Sequence, residues 1–142
     1  MVSQYLAKVS GPLLDRLDLH VEVPSVDFES LSSRSKAESS AEVKKRVDRV
    51  RRIQNERFKG TGIHCNARIT SGMMADICVL DDEAKQTIKK SFDVLGLSAR
   101  AYDKILKVSR TIADLDNSEV IGKKHIFEAI QYRSLDKKYW RR

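Results

Sequence analysis

Residues 97–115 read LSARAYDKILKVSRTIADL, and this stretch decides the fold because its apolar residues recur at the spacing of an amphipathic helix. Gly96 suits the end of a preceding helix, and Ser98 is a favourable N-cap for the next one. The face expected to be buried consists of Tyr102, Ile105, Leu106, Ser109, Ile112 and Ala113. The stretch therefore predicts a helix that packs as part of a helical bundle.

Arg100 lies in the first turn of this predicted helix. A cation there opposes the positive end of the helix dipole, which costs about 0.3–1 kcal/mol at an exposed site. The same end of a helix is also where phosphate binds most readily. Arg100 is therefore either a solvated arginine or a side chain that meets a phosphate held by another part of a larger machine.

Composition predicts a soluble protein of one domain. The chain has 142 residues, of which 41% are hydrophobic and 33% are charged. It has no apolar run of transmembrane length and no signal-peptide core, so we expect no membrane partner. Its two cysteines, Cys65 and Cys78, form no disulfide framework. These features together predict a cytoplasmic protein.

Residues 17–23 alternate between apolar and polar side chains and are followed by Pro24, a pattern typical of a β-strand. A single strand cannot satisfy its backbone hydrogen bonds alone. The chain is thus expected to be part of a larger protein that contains the rest of the sheet. The serine-rich stretch that follows predicts a linker, so residues 1–38 are interpreted as a flexible core remnant and residues 39–142 as a helical domain.

Further helices are predicted within residues 39–142. Ser39 and Glu42 match a capping box that opens a long helix. Its apolar stripe is expected to be Val43, Val47, Val50 and Ile53. A short helix is predicted after Thr70, another after Asp81 or Asp82, and a last one around Ile126, while residues 132–142 are expected to form a polar tail in which Tyr139 and Trp140 pack.

Basic residues are concentrated between Lys44 and Lys59. Eight basic residues stand against two acidic ones there, and the whole chain carries a net charge of +7. On a helix, Lys45, Arg49, Arg52 and Lys59 can share the face opposite the valines and follow a nucleic-acid backbone. Alternatively this face is only the solvated side of a packed helix, since Phe58 is the one aromatic residue in the run.

Familiar catalytic motifs are missing from the sequence. It contains no G-x-x-x-x-G-K-[ST] phosphate loop and no nucleophile elbow. His64, Cys65 and Cys78 lack the spacing of a zinc site, so no metal site is predicted. No chemistry is expected from this chain alone.

Residues 10–19, SGPLLDRLDL, form the second informative segment. The Gly-Pro pair predicts a rigid turn, which places Asp15 and Arg16 on a loop before the strand. An arginine on such a loop can reach a neighbouring subunit and stabilise the charge that develops during phosphoryl transfer. The alternative is a surface pair between Arg16 and Asp15 or Asp18, which contributes little.

Taken together, these segments resemble the C-terminal part of magnesium-chelatase-related AAA+ ATPases, in particular the competence-type ComM/YifB group. The matching pieces are SGPLLDRLDLHVEVP at 10–24, ESS at 38–40 with the basic helix, LGLSARAY at 95–102, LKVSRTIADL at 106–115 and HIFEAIQYR at 125–133. They follow in order along almost the whole chain, and they are long. The resemblance is therefore specific.

The resemblance implies a hexameric ATPase whose nucleotide lies between subunits and whose helical lid is residues 39–142. Arg16 matches the arginine finger that acts in trans, and Arg100 matches the lid arginine, called sensor 2, that contacts ATP phosphates. The Walker segments would lie in the N-terminal ATPase core, upstream of this chain. ATP and Mg²⁺ are accordingly implied for the full-length parent, while this chain alone is expected to bind no cofactor.

Three functions stay open at this point. The first is a lid and intersubunit module of an AAA+ ATPase that acts on DNA. The second is a stand-alone basic helical module that binds nucleic acid. The third is the lid of a chelatase-like or chaperone-like ATPase that remodels a protein partner.

Overall fold

The computed structural model describes residues 11–28, 32 and 37–133, and helices account for most of that part of the chain. The helices are α1 Gly11–Arg16, α2 Ser40–Arg57, α3 Met74–Ile77, α4 Asp82–Leu95, α5 Ala99–Leu115 and α6 Lys123–Gln131. Two 3₁₀ turns, Asn66–Arg68 and Ser71–Met73, lie between α2 and α3. The predicted mainly helical fold is confirmed. The expected packing of Tyr139 and Trp140 concerns residues outside the described ones.

The helix ends lie where the capping residues predict them. Ser39, Asp81 and Ser98 are N-caps, and their side-chain oxygens accept hydrogen bonds from the amide three residues later at 3.3, 2.7 and 3.1 Å. Gly96 ends α4 with φ of +55°, a left-handed conformation that favours glycine. Local side-chain chemistry thus sets the boundaries of α2, α4 and α5.

Helix α5 lies at the centre of the fold and contacts α2, α3, α6 and the turn Asn66–Arg68. Its buried apolar residues include Ile105, Leu106 and Ala113, as the helical periodicity predicts. A parallel β-bridge between Leu80 and Ile121 joins the segments that lead into α4 and α6. The core consists of Phe58, Ile69, Met74, Cys78, Ala84, Ile88, Ile105, Leu106, Ile112, Ala113, Ile121, Ile126 and Ala129.

Helix α2 packs through its second half only, so the predicted apolar stripe is wrong over its first half. Val43 and Val47 are 40% and 48% exposed, whereas Val50 is 5% exposed. The buried side of α2 continues with the polar residue Gln54. Helical spacing shows which residues share a face, but it does not show which stretch of that face another element covers.

The segment before α2 also departs from the prediction. Asp15 and Arg16 lie in helix α1 rather than on a loop, because Pro12 is well tolerated in the first turn of a helix. Residues 17–23 are in no strand. In the described part of the chain no second strand is available to pair with them; instead the His20 amide donates to the Tyr132 carbonyl at 2.7 Å.

Candidate functional site

Helix α1 meets the start of α5 through Asp15. Its Oδ1 accepts a hydrogen bond from Ser98 Oγ at 3.2 Å. Its Oδ2 lies 3.7 Å from Arg100 Nη1, and Arg133 Nη2 lies 3.8 Å from Oδ1. The structure therefore brings together two segments that were predicted separately: α1, which carries Asp15 and Arg16, and the start of α5, which carries Arg100.

Arg100 lies at the positive end of α5, beside a carboxylate. It is in the first turn of the helix and its side chain is 57% exposed, with Asp15 as its counter-ion. An exposed ion pair of this kind contributes at most about 1 kcal/mol. The pair is therefore weak, and it lies at the end of a 17-residue helix where the dipole favours anions.

Arg16 is the last residue of α1 and its side chain is exposed. Its Nη1 donates to the Pro12 carbonyl, one turn back, at 3.2 Å. Among the described residues no carboxylate forms an ion pair with Arg16, so the alternative of a surface pair with Asp15 or Asp18 is not formed there. The Arg16 side chain bonds back to its own helix instead.

Two cations that sequence reasoning missed hold the end of α1. Lys104 Nζ donates to the Arg16 carbonyl and to an Asp18 carboxylate oxygen. The buried Arg133 donates from Nη1 to the Leu17 carbonyl at 2.7 Å. Lys104 and Arg133 lie 88 and 116 residues from the carbonyls they bind, and a linear sequence gives no signal for such pairs.

The opposite end of α5 carries a buried ionic cluster, here the side chains of Gln54, Arg57, Asn66, Arg110 and Asp114. Asp114 accepts from both terminal nitrogens of Arg57 and, at 2.8 Å, from Asn66 Nδ2. Arg110 donates from Nε to Asp114 at 3.1 Å and reaches the carbonyls of the following loop. The cluster ties α2, the turn Asn66–Arg68 and α5 together.

The charged form of Asp114 in the ionic cluster is stabilised by its hydrogen bonds and by neighbouring cations. Burial would raise the pKa of Asp114, but hydrogen bonds from Arg57 and Asn66 and the charge of Arg110 hold that pKa below its usual range. Burial also lowers the pKa of the Arg110 guanidinium. Arg110 and Asp114 are spaced i, i+4 on the apolar face of α5, which is the signal that could have revealed them.

The four basic residues predicted to bind nucleic acid do not form one solvated face. Lys45 pairs with Glu42 at 2.7 Å and stays exposed. Arg49 is half-buried and donates from Nη2 to the Leu115 carbonyl at 2.6 Å, so it packs on the end of α5. Arg52 is exposed, and the exposed Lys59 lies beyond the last residue of α2.

Other kinds of site are not supported within the described residues. No group of three or more His, Cys, Asp or Glu side chains among them is placed to hold a metal ion. The Cys78 thiol lies in the core, where burial raises its pKa to about 11. No helix in the described ranges is long and apolar enough to cross a membrane.

Comparison with known proteins gives matches along the chain. Residues 37–133 match the family model described as magnesium chelatase, subunit ChlI C-terminal, and residues 1–31 match that of magnesium chelatase, subunit ChlI. The competence protein ComM of Haemophilus influenzae is 42% identical over 94% of the chain, and the uncharacterized protein YifB of Salmonella typhimurium is 41% identical over 94%. The chain spans 26% of the length of each of these relatives.

Proposed function

The chain belongs to the magnesium chelatase ChlI family, and we propose that it is the lid and intersubunit module of an ATP-hydrolysing ring assembly. In this proposal Arg100 senses the phosphates of ATP and Arg16 acts as the finger that reaches the nucleotide of a neighbouring subunit. The observation that carries it is Asp15, which lies next to Arg16 in α1 and faces Arg100 in α5 at 3.7 Å. The Asp15 contact therefore joins the helix that carries Arg16 to the start of the helix that carries Arg100.

The residues present fit one part of ATP, the phosphates. Arg100 is exposed at the N-terminus of α5, and Arg16 is exposed at the end of α1. Each offers a guanidinium to a phosphate, Arg16 to that of a neighbouring subunit. When bound, ATP supplies the phosphoryl group that is transferred to water, and the positive charges of these side chains stabilise the charge that develops. The rest of ATP and the Mg²⁺ ion would be held by the ATPase core of the full-length parent, with which this chain associates.

The division of the chain supports the same proposal. The two family models meet between residues 31 and 37, and α2 begins at Ser40. We therefore propose that residues 1–38 belong to the ATPase core and that residues 39–142 form the lid. A hexamer is the assembly we propose for the parent.

The role of Arg100 is tested by Arg100→Ala in the full-length parent. We expect ATP turnover to fall by about 100-fold or more, since a preorganised charge aimed at the reacting phosphate is lost. The matched control is Arg68→Ala, in the 3₁₀ turn of the same domain and on no proposed site. Near-normal turnover in Arg100→Ala would leave Arg100 as a solvated arginine.

The role of Arg16 in trans is tested by mixing subunits. Arg16→Ala in the parent should still bind ATP but hydrolyse it poorly. Mixing it with a Walker-defective parent that retains Arg16 should partly restore turnover, because each subunit supplies what its neighbour lacks. If mixed assemblies form and turnover stays low, the trans role is wrong.

A second candidate function is binding of DNA by the parent. One observation favours it: the first half of α2, which carries Lys45, is exposed on all sides, and Arg52 is exposed further along the same helix. Lys45→Ala with Arg52→Ala should weaken binding to all DNA sequences alike and flatten its salt dependence. Lys85→Ala with Lys89→Ala on α4 is the control pair. Equal loss in both pairs would mean that overall charge alone governs binding, and no loss in either would mean that Lys45 and Arg52 make no DNA contact.

A further inference from the structure

We infer that Lys104 and Arg133 are positioning residues that fix the end of α1, and with it Arg16, for ATP hydrolysis. The inference rests on the proposed function, because it assigns a role in the reaction through Arg16. Each binds a backbone carbonyl at or next to Arg16. Arg133 Nη2 also lies 3.8 Å from Asp15 Oδ1, the carboxylate that faces Arg100, so Lys104 carries the part of the test that concerns Arg16 alone.

The end of a helix leaves its last carbonyl groups without partners inside the helix. In α1 the Arg16 carbonyl accepts from Lys104 Nζ, and the next carbonyl, that of Leu17, accepts from Arg133 Nη1 at 2.7 Å. Cations at this end also interact favourably with the negative pole of the helix dipole. Two independent charge-assisted hydrogen bonds thus fix two consecutive carbonyls.

The two cations come from different parts of the domain. Lys104 projects from α5, one turn after Arg100, and its side chain is 15% exposed. Arg133 follows α6 and its side chain is 4% exposed. A six-residue helix has few hydrogen bonds of its own, so tertiary contacts hold it in place, and Lys104 and Arg133 supply those at its C-terminal end.

Burial distinguishes Lys104 and Arg133 from the arginines they support. Arg16 and Arg100 are exposed, as groups that contact an external phosphate must be. Lys104 and Arg133 are largely covered, and each donates to a backbone carbonyl of this chain. The exposed guanidinium of Arg16 is thus carried by the last residue of a helix whose end is bound by two covered cations.

The test compares Lys104→Met, Arg133→Met and Lys107→Met in the full-length parent. Methionine keeps the apolar length and removes the charge. Lys107 is the matched control, because it also lies on α5 but donates to the Ala67 carbonyl at 3.4 Å, away from α1. We expect Lys104→Met and Arg133→Met to lower kcat about 10- to 100-fold with KM for ATP within about twofold of normal, and Lys107→Met to change neither.

Three further measurements separate positioning from general stability. Lys104→Met combined with Arg16→Ala should turn over ATP no more slowly than Arg16→Ala alone, and Lys104→Arg should recover most of the lost rate. In this chain itself, Lys104→Met should speed amide exchange at Leu17, whose N–H bonds to the Leu14 carbonyl at 3.0 Å, without affecting the amides of α6.

The outcomes distinguish this inference from the proposed function. If Arg16→Ala itself turns over ATP normally, the proposed role of Arg16 fails and the positioning role fails with it. If Arg16→Ala is slow but Lys104→Met and Arg133→Met are normal, only the positioning role is overturned. Multiplied losses in the double variant would also overturn it.

Discussion

The two ends of α5 both carry arginine–carboxylate pairs, and the pairs are built differently. At the start of the helix Arg100 faces Asp15 at 3.7 Å, and the arginine side chain is 57% exposed. Near the end of the helix Arg110 and Asp114 are 2% and 1% exposed and belong to the ionic cluster. One pair can exchange its partner with solvent or a ligand, whereas the other cannot.

The difference separates charged residues that stabilise the fold from charged residues that remain accessible to a ligand. A buried ion pair contributes little net stability relative to an apolar pair, but removing one of its partners leaves an uncompensated charge. An exposed pair costs almost nothing to break. In this chain the buried end of α5 joins secondary-structure elements, and the exposed end presents the residues of the proposed site.

The largest expected effect is that of Asp114→Ala. It leaves the guanidiniums of Arg57 and Arg110 close together without their shared carboxylate. We expect the free energy of unfolding to fall by about 3–5 kcal/mol, measured by urea denaturation of this chain. A loss below about 1 kcal/mol would mean that the buried end of α5 is no more important for stability than the exposed end.

Acid should weaken the ionic cluster near the end of α5. The pKa of Asp114 is lower in the folded chain than in the unfolded one, so the unfolded state binds more protons in acid. The stabilisation is fully present above about pH 4 and is lost as the pH falls through the lowered pKa. The free energy of unfolding, followed from pH 6 to pH 2, should therefore decrease below about pH 4. Asp116→Asn, at an exposed carboxylate, should retain most of this decrease.

A comparison within α2 sharpens the contrast. Val50 is buried one turn before Gln54, which contacts Asp114, whereas Val47 is 48% exposed. Val50→Ala should cost about 2 kcal/mol and Val47→Ala less than about 0.5 kcal/mol, because only the first leaves a cavity. Thermal denaturation of the two variants measures the difference. Equal losses would show that the first half of α2 packs on something after all.

The smallest expected effect is that of Arg100→Ala on the stability of this chain. Removing an exposed cation from the first turn of α5 should change the free energy of unfolding by less than about 0.5 kcal/mol, because two effects of opposite sign nearly cancel. The unfavourable dipole contact and the favourable Asp15 contact are lost together. Urea denaturation measures it, and a loss above about 2 kcal/mol would make Arg100 a structural residue.

The sequence predicts those features of the fold that depend on local interactions, such as helix boundaries. The caps Ser39, Asp81 and Ser98 act within three residues of themselves, so they could be identified without knowing the rest of the structure. Arg16 and Arg100 are predicted as site residues from the segments that carry them, and their roles stay predictions. The stretch of α2 that packs could not be predicted, because it depends on where α5 ends.

The polar interior shows a different limit of prediction. Gln54 and Asn66 look like surface residues in the sequence, yet both are buried because they complete the hydrogen bonds of Asp114. Each partner lies 48 or more residues away from that carboxylate. Periodicity assigns such residues to the solvent by their type, and only the assembled fold corrects the assignment.

The hydrogen bond from Arg133 to the Leu17 carbonyl also has a kinetic consequence. It closes a loop of 116 residues, whereas α4, α5 and α6 follow one another closely in the sequence and can meet early. Closing a long loop before other contacts form is entropically costly, and the cost falls once the intervening chain is already compact. We therefore expect α1 to dock last during folding and to detach first during unfolding. The segment that carries Arg16 would then be the most readily released part of an otherwise persistent helical body.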